Sequence, residues 1–187
     1  MNTMVRPAFN ERKAAQVAHL LLTLRGGRMS YLKLIKLMYY IERAALIKWG
    51  RPVTFDRIVS MDNGLVLSET LSLITGDARP ENHKDWGELV SPPVNFEVAA
   101  LDAETDYDEL SDAEETLIRA VFAEKGKKGR WELVDEHHTL PEWIDPDGSS
   151  IPLTFDEILK KSGQRSYSDI EMIGNEIENL ALLDRLT

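Results

Sequence analysis

No cysteine occurs anywhere in the 187 residues. The chain therefore can form no disulfide framework and offers neither a thiolate metal ligand nor a cysteine nucleophile. Long apolar runs are missing too. Nothing approaches the ~20 residues that span a bilayer, and no apolar core of a signal peptide follows the early charges. The expectation is a soluble, cytoplasmic protein with no membrane partner. Histidine is scarce: His19, His83, His137 and His138 contain no i, i+4 pair on a helix and no His-x-His, so no metal site and no cofactor are expected. Gly26-Gly27 lacks a following Lys-Ser/Thr. The loop from Gly126 to Gly129 reads as a helix C-terminus, where the backbone presents carbonyls and not amides. The basic run Lys125 to Arg130 then complements that negative helix end. No Gly-x-Ser-x-Gly elbow is present and the serines sit mainly at caps and turns, so no catalytic residue and no enzyme are expected.

What the chain has in excess is acid, with a formal net charge of -10. The excess is unevenly placed. Residues 1–60 hold 11 Lys or Arg against 3 Asp or Glu, and the remainder holds 11 against 29. A surface made throughout for nucleic acid is excluded, and the two parts are expected to neutralise each other in the fold. The length suits one domain over residues 1–187, large enough to bury roughly two thirds of its unfolded surface.

Apolar spacing and end signals predict a helix from Asn10, as N-cap, to about Arg25, closed by Gly26-Gly27. A second helix runs from Tyr31 to Trp49 and stops at Gly50 before Pro52. It is apolar on most sides, with one polar stripe of Lys33, Lys36, Tyr40 and Arg43, which places it at the centre of a bundle with a single edge in polar surroundings. From Val53 to Met61 the period becomes two, and Asp62-Asn63-Gly64 supplies a turn, so a short strand or half-hairpin is predicted there. Leu65 to Ile74 reads as a short helix. Residues 76–110 read as an acidic, loop-rich segment with one extended piece at Val94 to Val98. Three capping boxes, Ser111 with Glu114, Thr154 with Glu157 and Ser168 with Glu171, open helices of about Asp112–Glu124, Phe155–Lys161 and Asp169–Leu186. A further short helix covers Trp131 to Glu136. The class is mainly α (α+β): a single-domain helical bundle with a short β-strand or hairpin after the second helix.

The segment "RWELVDEHHTLPEW", residues 130–143, brackets two histidines with two tryptophans. Large aromatics near loops are core plugs or contact anchors. Together with "KLIKLMYYIERAALIKWGRPVTFDRIVSMDNGLV", it resembles the Panacea, or SocA-like, antitoxin domain. The likeness rests on Lys33, Leu34, Lys36, Leu37, Tyr39, Tyr40, Gly50, Pro52, Gly64, Val66, Leu133, His138 and Trp143. Two features depart from the family pattern: Gly-Pro-Val-Pro is here Gly64-Leu65-Val66-Leu67, and His137 replaces the Thr before the family histidine. The resemblance implies a bacterial or phage antitoxin that neutralises a cognate protein toxin by direct binding, with some members linked to toxin degradation by a protease. An acidic chain suits a basic toxin. Lys36, Tyr40, Arg43, Arg57, His138 and Trp143 are the expected partner-binding residues. Two other classes make distinct demands. A hydrolase centred on His138 requires that histidine in a pocket with a nearby carboxylate. A nucleic-acid-binding regulator requires Lys33, Lys36, Arg43, Arg51 and Arg57 on one exposed patch.

Overall fold

The computed structural model describes residues 6–77, 84–101 and 105–186; His83 lies outside them. Helix α1 (Glu11–Arg25) starts where the Asn10 side chain accepts the Lys13 amide at 2.9 Å, and it ends at Gly26 in the left-handed region. Strand β1 (Arg28–Ser30), which the sequence reading did not anticipate, leads directly into α2 (Tyr31–Trp49). Helix α2 buries Leu34, Ile35, Leu37, Met38, Tyr39, Ile41, Ala45 and Leu46. It is the centre of the molecule, packed by α1 and by helices that follow later in the chain, as its nearly all-round apolar surface demands.

The chain after α2 departs from the expected strand. Val53 and Thr54 donate their amides to the buried Glu42 carboxylate at 2.8 and 3.0 Å, and Phe55 adopts φ +58, so the extended conformation is restricted to β2 (Ile58–Met61). Asp56 instead caps a helix, accepting the Glu69 and Thr70 amides at 2.9 and 2.8 Å. That helix, α3 (Ser68–Thr75), is shorter than expected because Gly64–Leu67 forms β3, which pairs antiparallel with β2 in the register Ile58↔Leu67 and Ser60↔Leu65. A short, continuous apolar run does not declare its period, and pairing with β2 decided it.

The described residues between 76 and 110 are not all loop. They include α4 (Lys84–Leu89), whose Trp86 is buried, and β4 (Glu97–Ala99), which pairs antiparallel with β1. Helices α5 (Asp112–Lys125) and α6 (Arg130–Thr139) follow, and then β5 (Ile151–Leu153) joins the free side of β2 to give the order β3-β2-β5. Helices α7 (Phe155–Ser162) and α8 (Tyr167–Asp184) close the bundle. The boxes at Ser111/Glu114 and Thr154/Glu157 form as expected. The third is Ser166 with Asp169, and Ser168 lies within the first turn, its Oγ 3.0 Å from the Ser166 Oγ. With eight helices and two small antiparallel sheets among the described residues, the mainly α (α+β) class holds.

Candidate functional site

The polar residues of α2 turn inward. Lys36 is fully buried; its Nζ donates to the Leu65 carbonyl at 2.8 Å, no carboxylate among the described residues pairs with it, and desolvation lowers its pKa to about 7. Lys33 is also buried and donates to the Gly126 and Lys128 carbonyls, both at 2.7 Å. The first half of the stripe, Lys33 and Lys36, therefore faces the packing of α2 and not solvent. Arg57 is exposed but sits on β2's approach, 3.0 Å from the Glu69 carboxylate. Lys33, Lys36, Arg43, Arg51 and Arg57 form no single exposed patch.

Tyr39 and Arg43 converge on Glu142 from the loop after α6. Tyr39 Oη–H donates to Glu142 Oε1 at 2.7 Å, while Arg43 donates through Nε to Oε1 and through Nη2 to Oε2 at 3.3 Å. Glu142 and Tyr39 are both fully buried, and desolvation raises the Tyr39 pKa well above 10. A buried carboxylate held by a guanidinium and a phenol is satisfied, and removing either donor leaves it in deficit. Glu142 is not among the partner-binding residues expected from the sequence. Its position between Pro141 and Trp143 in a short apolar segment is the signal that sets it apart.

His137 is the other buried group that the sequence left unassigned. It packs with its ring centroid 5.1 Å from that of Tyr39 and 4.7 Å from that of Tyr40, the latter edge-on. Neither ring nitrogen has a well-formed hydrogen bond; backbone groups of Lys36 and Leu65 approach them, but burial prevails and pushes its pKa down to about 2. His137 is a neutral spacer between α2 and β3.

Tyr40 and Arg43 reach the surface together. They line a cleft of about 480 Å³ between α2, α5 and α6, closed by Glu124, Lys125, Glu136 and Leu140. Tyr40 Oη–H donates to Glu136 Oε2 at 3.1 Å, and the Lys125 ammonium, 3.0 Å from the same oxygen, stands 4.9 Å above the Tyr40 ring. Half-burial raises the Tyr40 pKa to about 12, so the phenol stays protonated.

His138 and Trp143 meet on the other side of α6, with ring centroids 4.4 Å apart. Both grip the β2–β3 turn. His138 Nε2 lies 2.8 Å from the Asp62 carbonyl, and Trp143 Nε1–H donates to the Met61 carbonyl at 3.2 Å. Ser60 adds a reciprocal pair, donating to the Ile144 carbonyl and accepting the Ile144 amide at 3.1 Å. Asp62 is exposed, as are Asp145 and Asp147 in the loop that follows Trp143, and the Gly148 amide donates to Asp62 at 3.2 Å. No hydroxyl nucleophile or carboxylate hydrogen-bonds either His137 or His138, and no cluster of metal-ligating side chains occurs among the described residues. Among them also, no helix is long and apolar enough to cross a membrane.

The six expected residues thus divide: Lys36 is internal, Tyr40 and Arg43 share the cleft, His138 and Trp143 share the turn, and Arg57 stands apart beside Glu69. No curated protein and no solved structure matches the chain significantly. The α2 residues and the 137–143 segment that close on each other here are the two ends of the stretch matched by the family described as antitoxin SocA-like, Panacea domain, residues 34–144, more than half of the sequence, and the chain belongs to that family.

Proposed function

We propose that the protein, acting as one antitoxin domain over residues 1–187, neutralises a cognate protein toxin by binding it directly. The reading rests on one observation beyond family membership. Half-buried His138 and Trp143 are fixed by hydrogen bonds of their polar tips to the β2–β3 turn, which leaves a rigid aromatic surface, with exposed Asp62 in that turn and exposed Asp145 and Asp147 in the loop after Trp143. Rigid Trp-centred patches lose little entropy on binding and provide much of the energy of interfaces. Those exposed acids suit a basic toxin, whose approach they would steer. The cleft lined by Tyr40 and Arg43 gives the same partner a second place to engage.

The test is co-expression of the neighbouring open reading frame with and without this protein, scored by growth and followed by co-purification. Growth arrest relieved by the wild type, with a stable complex recovered, is the expected result, and Trp143→Ala should lose both protection and complex. Relief without a recoverable complex would replace stoichiometric binding by delivery of the toxin to a protease. A harmless neighbour would remove the reading for that pair.

A further inference from the structure

A second concave site lies away from the turn and has the opposite charge. It occupies about 430 Å³ between the α1–β1 corner, the start of α2 and the α5–α6 loop. Among the described residues six cations line it and Glu97 is its one carboxylate, in a protein whose net charge is -10. Two of the six have acidic partners: Lys128 pairs with Glu136, and Arg28 lies 3.9 Å from Glu97. Exposed Arg25, Lys127 and Arg130 pair with no carboxylate among the described residues. Lys33, 7% exposed, uses two of its three N–H donors on backbone carbonyls and has no counter-ion in contact among the described residues, Glu132 acting on it only through space. Buried charge is normally paired. The buried Oγ of Ser30, in the same lining, has no hydrogen-bond partner.

The loop also supplies amides. Gly126 ends α5 as the sequence suggests, but Gly129, three residues on, is the N-cap of α6, so the same loop carries a helix N-terminus. Glu132 satisfies the Gly129 amide at 2.6 Å, and Gly129 has no side chain to cap the first-turn amides that follow. Helix N-terminal N–H groups and guanidinium forks are the donor types that recognise the oxygens of a phosphate group. A cavity of this size takes a ligand of nucleotide dimensions. A long polyanion would be repelled by the rest of this acidic molecule.

The geometry points to a phosphate-binding site at this pocket, taking a compact phosphorylated ligand of nucleotide size through Arg25, Lys33, Lys127 and Arg130. The site is independent of the toxin-binding reading, and neither depends on the other. Isothermal titration of the full chain at low salt, with pyrophosphate, ATP, a single-stranded RNA oligomer and a glutamate-rich peptide as probes, tests it. Saturable binding of pyrophosphate or ATP is expected, weakened about tenfold or more by Arg25→Glu or Lys127→Glu at unchanged melting temperature. Tighter binding of ATP than of pyrophosphate would make a nucleotide the ligand, and equal binding a free polyphosphate. A local readout accompanies it: the Arg130 guanidinium lies 5.7 Å from the ring centroid of exposed Trp131, so ligand should change a fluorescence signal that Trp131→Phe removes. The proposal is overturned if neither phosphate probe saturates, if both charge reversals bind unchanged, or if only the RNA or the acidic peptide binds.

Discussion

At Gly64 the backbone passes through φ +94, and a Cβ there would stand 2.6 Å from His137 Cβ and 3.2 Å from Lys36 Nζ. Gly64→Ala must strain the backbone and also separate β3 from α6, so it should cost about 2 to 4 kcal/mol in denaturant unfolding. Gly76, at φ +79 with none of the described residues within 4 Å of the added Cβ, is the control: alanine there should cost only about 1 kcal/mol. Equal losses would show that the contact with His137 is soft. Lys36, beside it, gives a pH dependence. Burial lowers its pKa from 10.5 to about 7, so between those values the unfolded chain holds a proton that the folded chain has released. Unfolding then takes up a proton, and stability rises with pH across that window; below about 7 the full cost of burying the ammonium is present. Lys36→Met should be at least as stable as wild type near pH 7 and should lack this share of the rise toward pH 10.5, measured by urea unfolding at several pH values. A rise unchanged in the variant would assign it to other groups.

The β2–β3 hairpin is the element that joins fold to proposed function, because residues 138–148 hold it from outside through Met61, Asp62 and Ser60. Trp143→Phe removes the indole donor while keeping most of the ring. It should raise amide exchange in Ile58–Leu67 by several-fold, with the global melting transition shifted by no more than a few degrees. Exchange unchanged in the hairpin would mean that pairing with β5 suffices to hold it. The same hairpin shows what could be read from the sequence. The boxes at Ser111/Glu114 and Thr154/Glu157 were legible because a cap is a contact over three residues, and α2 was legible because its apolar residues surround it. Leu65-Val66-Leu67 was not, since an apolar run without alternation fits a buried strand as well as a helix. The direction of the α2 stripe was not legible either. Lys36 and Arg43 look solvent-seeking by type, and only the packing of α5, α6 and β3 over them shows that their partners are Leu65 and Glu142. His138 and Trp143 were marked by their segment, but the carbonyls they bind lie about 80 residues away in sequence and leave no local trace.

The charge asymmetry between the ends of the sequence resolves on folding into pairs that span it. Arg12 meets Asp108 at 2.6 Å, Lys13 meets Glu114 at 2.8 Å, Arg43 meets Glu142 and Arg57 meets Glu69. The expected internal neutralisation is realised in part: among the described residues Arg25, Lys33, Lys36, Lys48 and Arg51 have no carboxylate partner. Local concentrations of charge remain, with unpaired cations at the α1–β1 corner and exposed Asp62, Asp145 and Asp147 at the β2–β3 turn and the loop after α6. Such local charge acts on encounter more than on the final complex, because exposed charges separated by about 10 Å or more are screened at physiological salt while the approaching partner feels their sum. If a basic toxin docks at the turn, Asp145→Asn together with Asp147→Asn should lower its association rate and flatten the dependence of that rate on salt, with the dissociation rate nearly unchanged. Trp143→Ala should do the reverse, accelerating dissociation and leaving the salt dependence intact. Stopped-flow measurements over a range of ionic strength would separate the two. A loss of association on removing the aspartates that persists at high salt would mean that they touch the partner directly, and these acids would then belong to the contact surface itself.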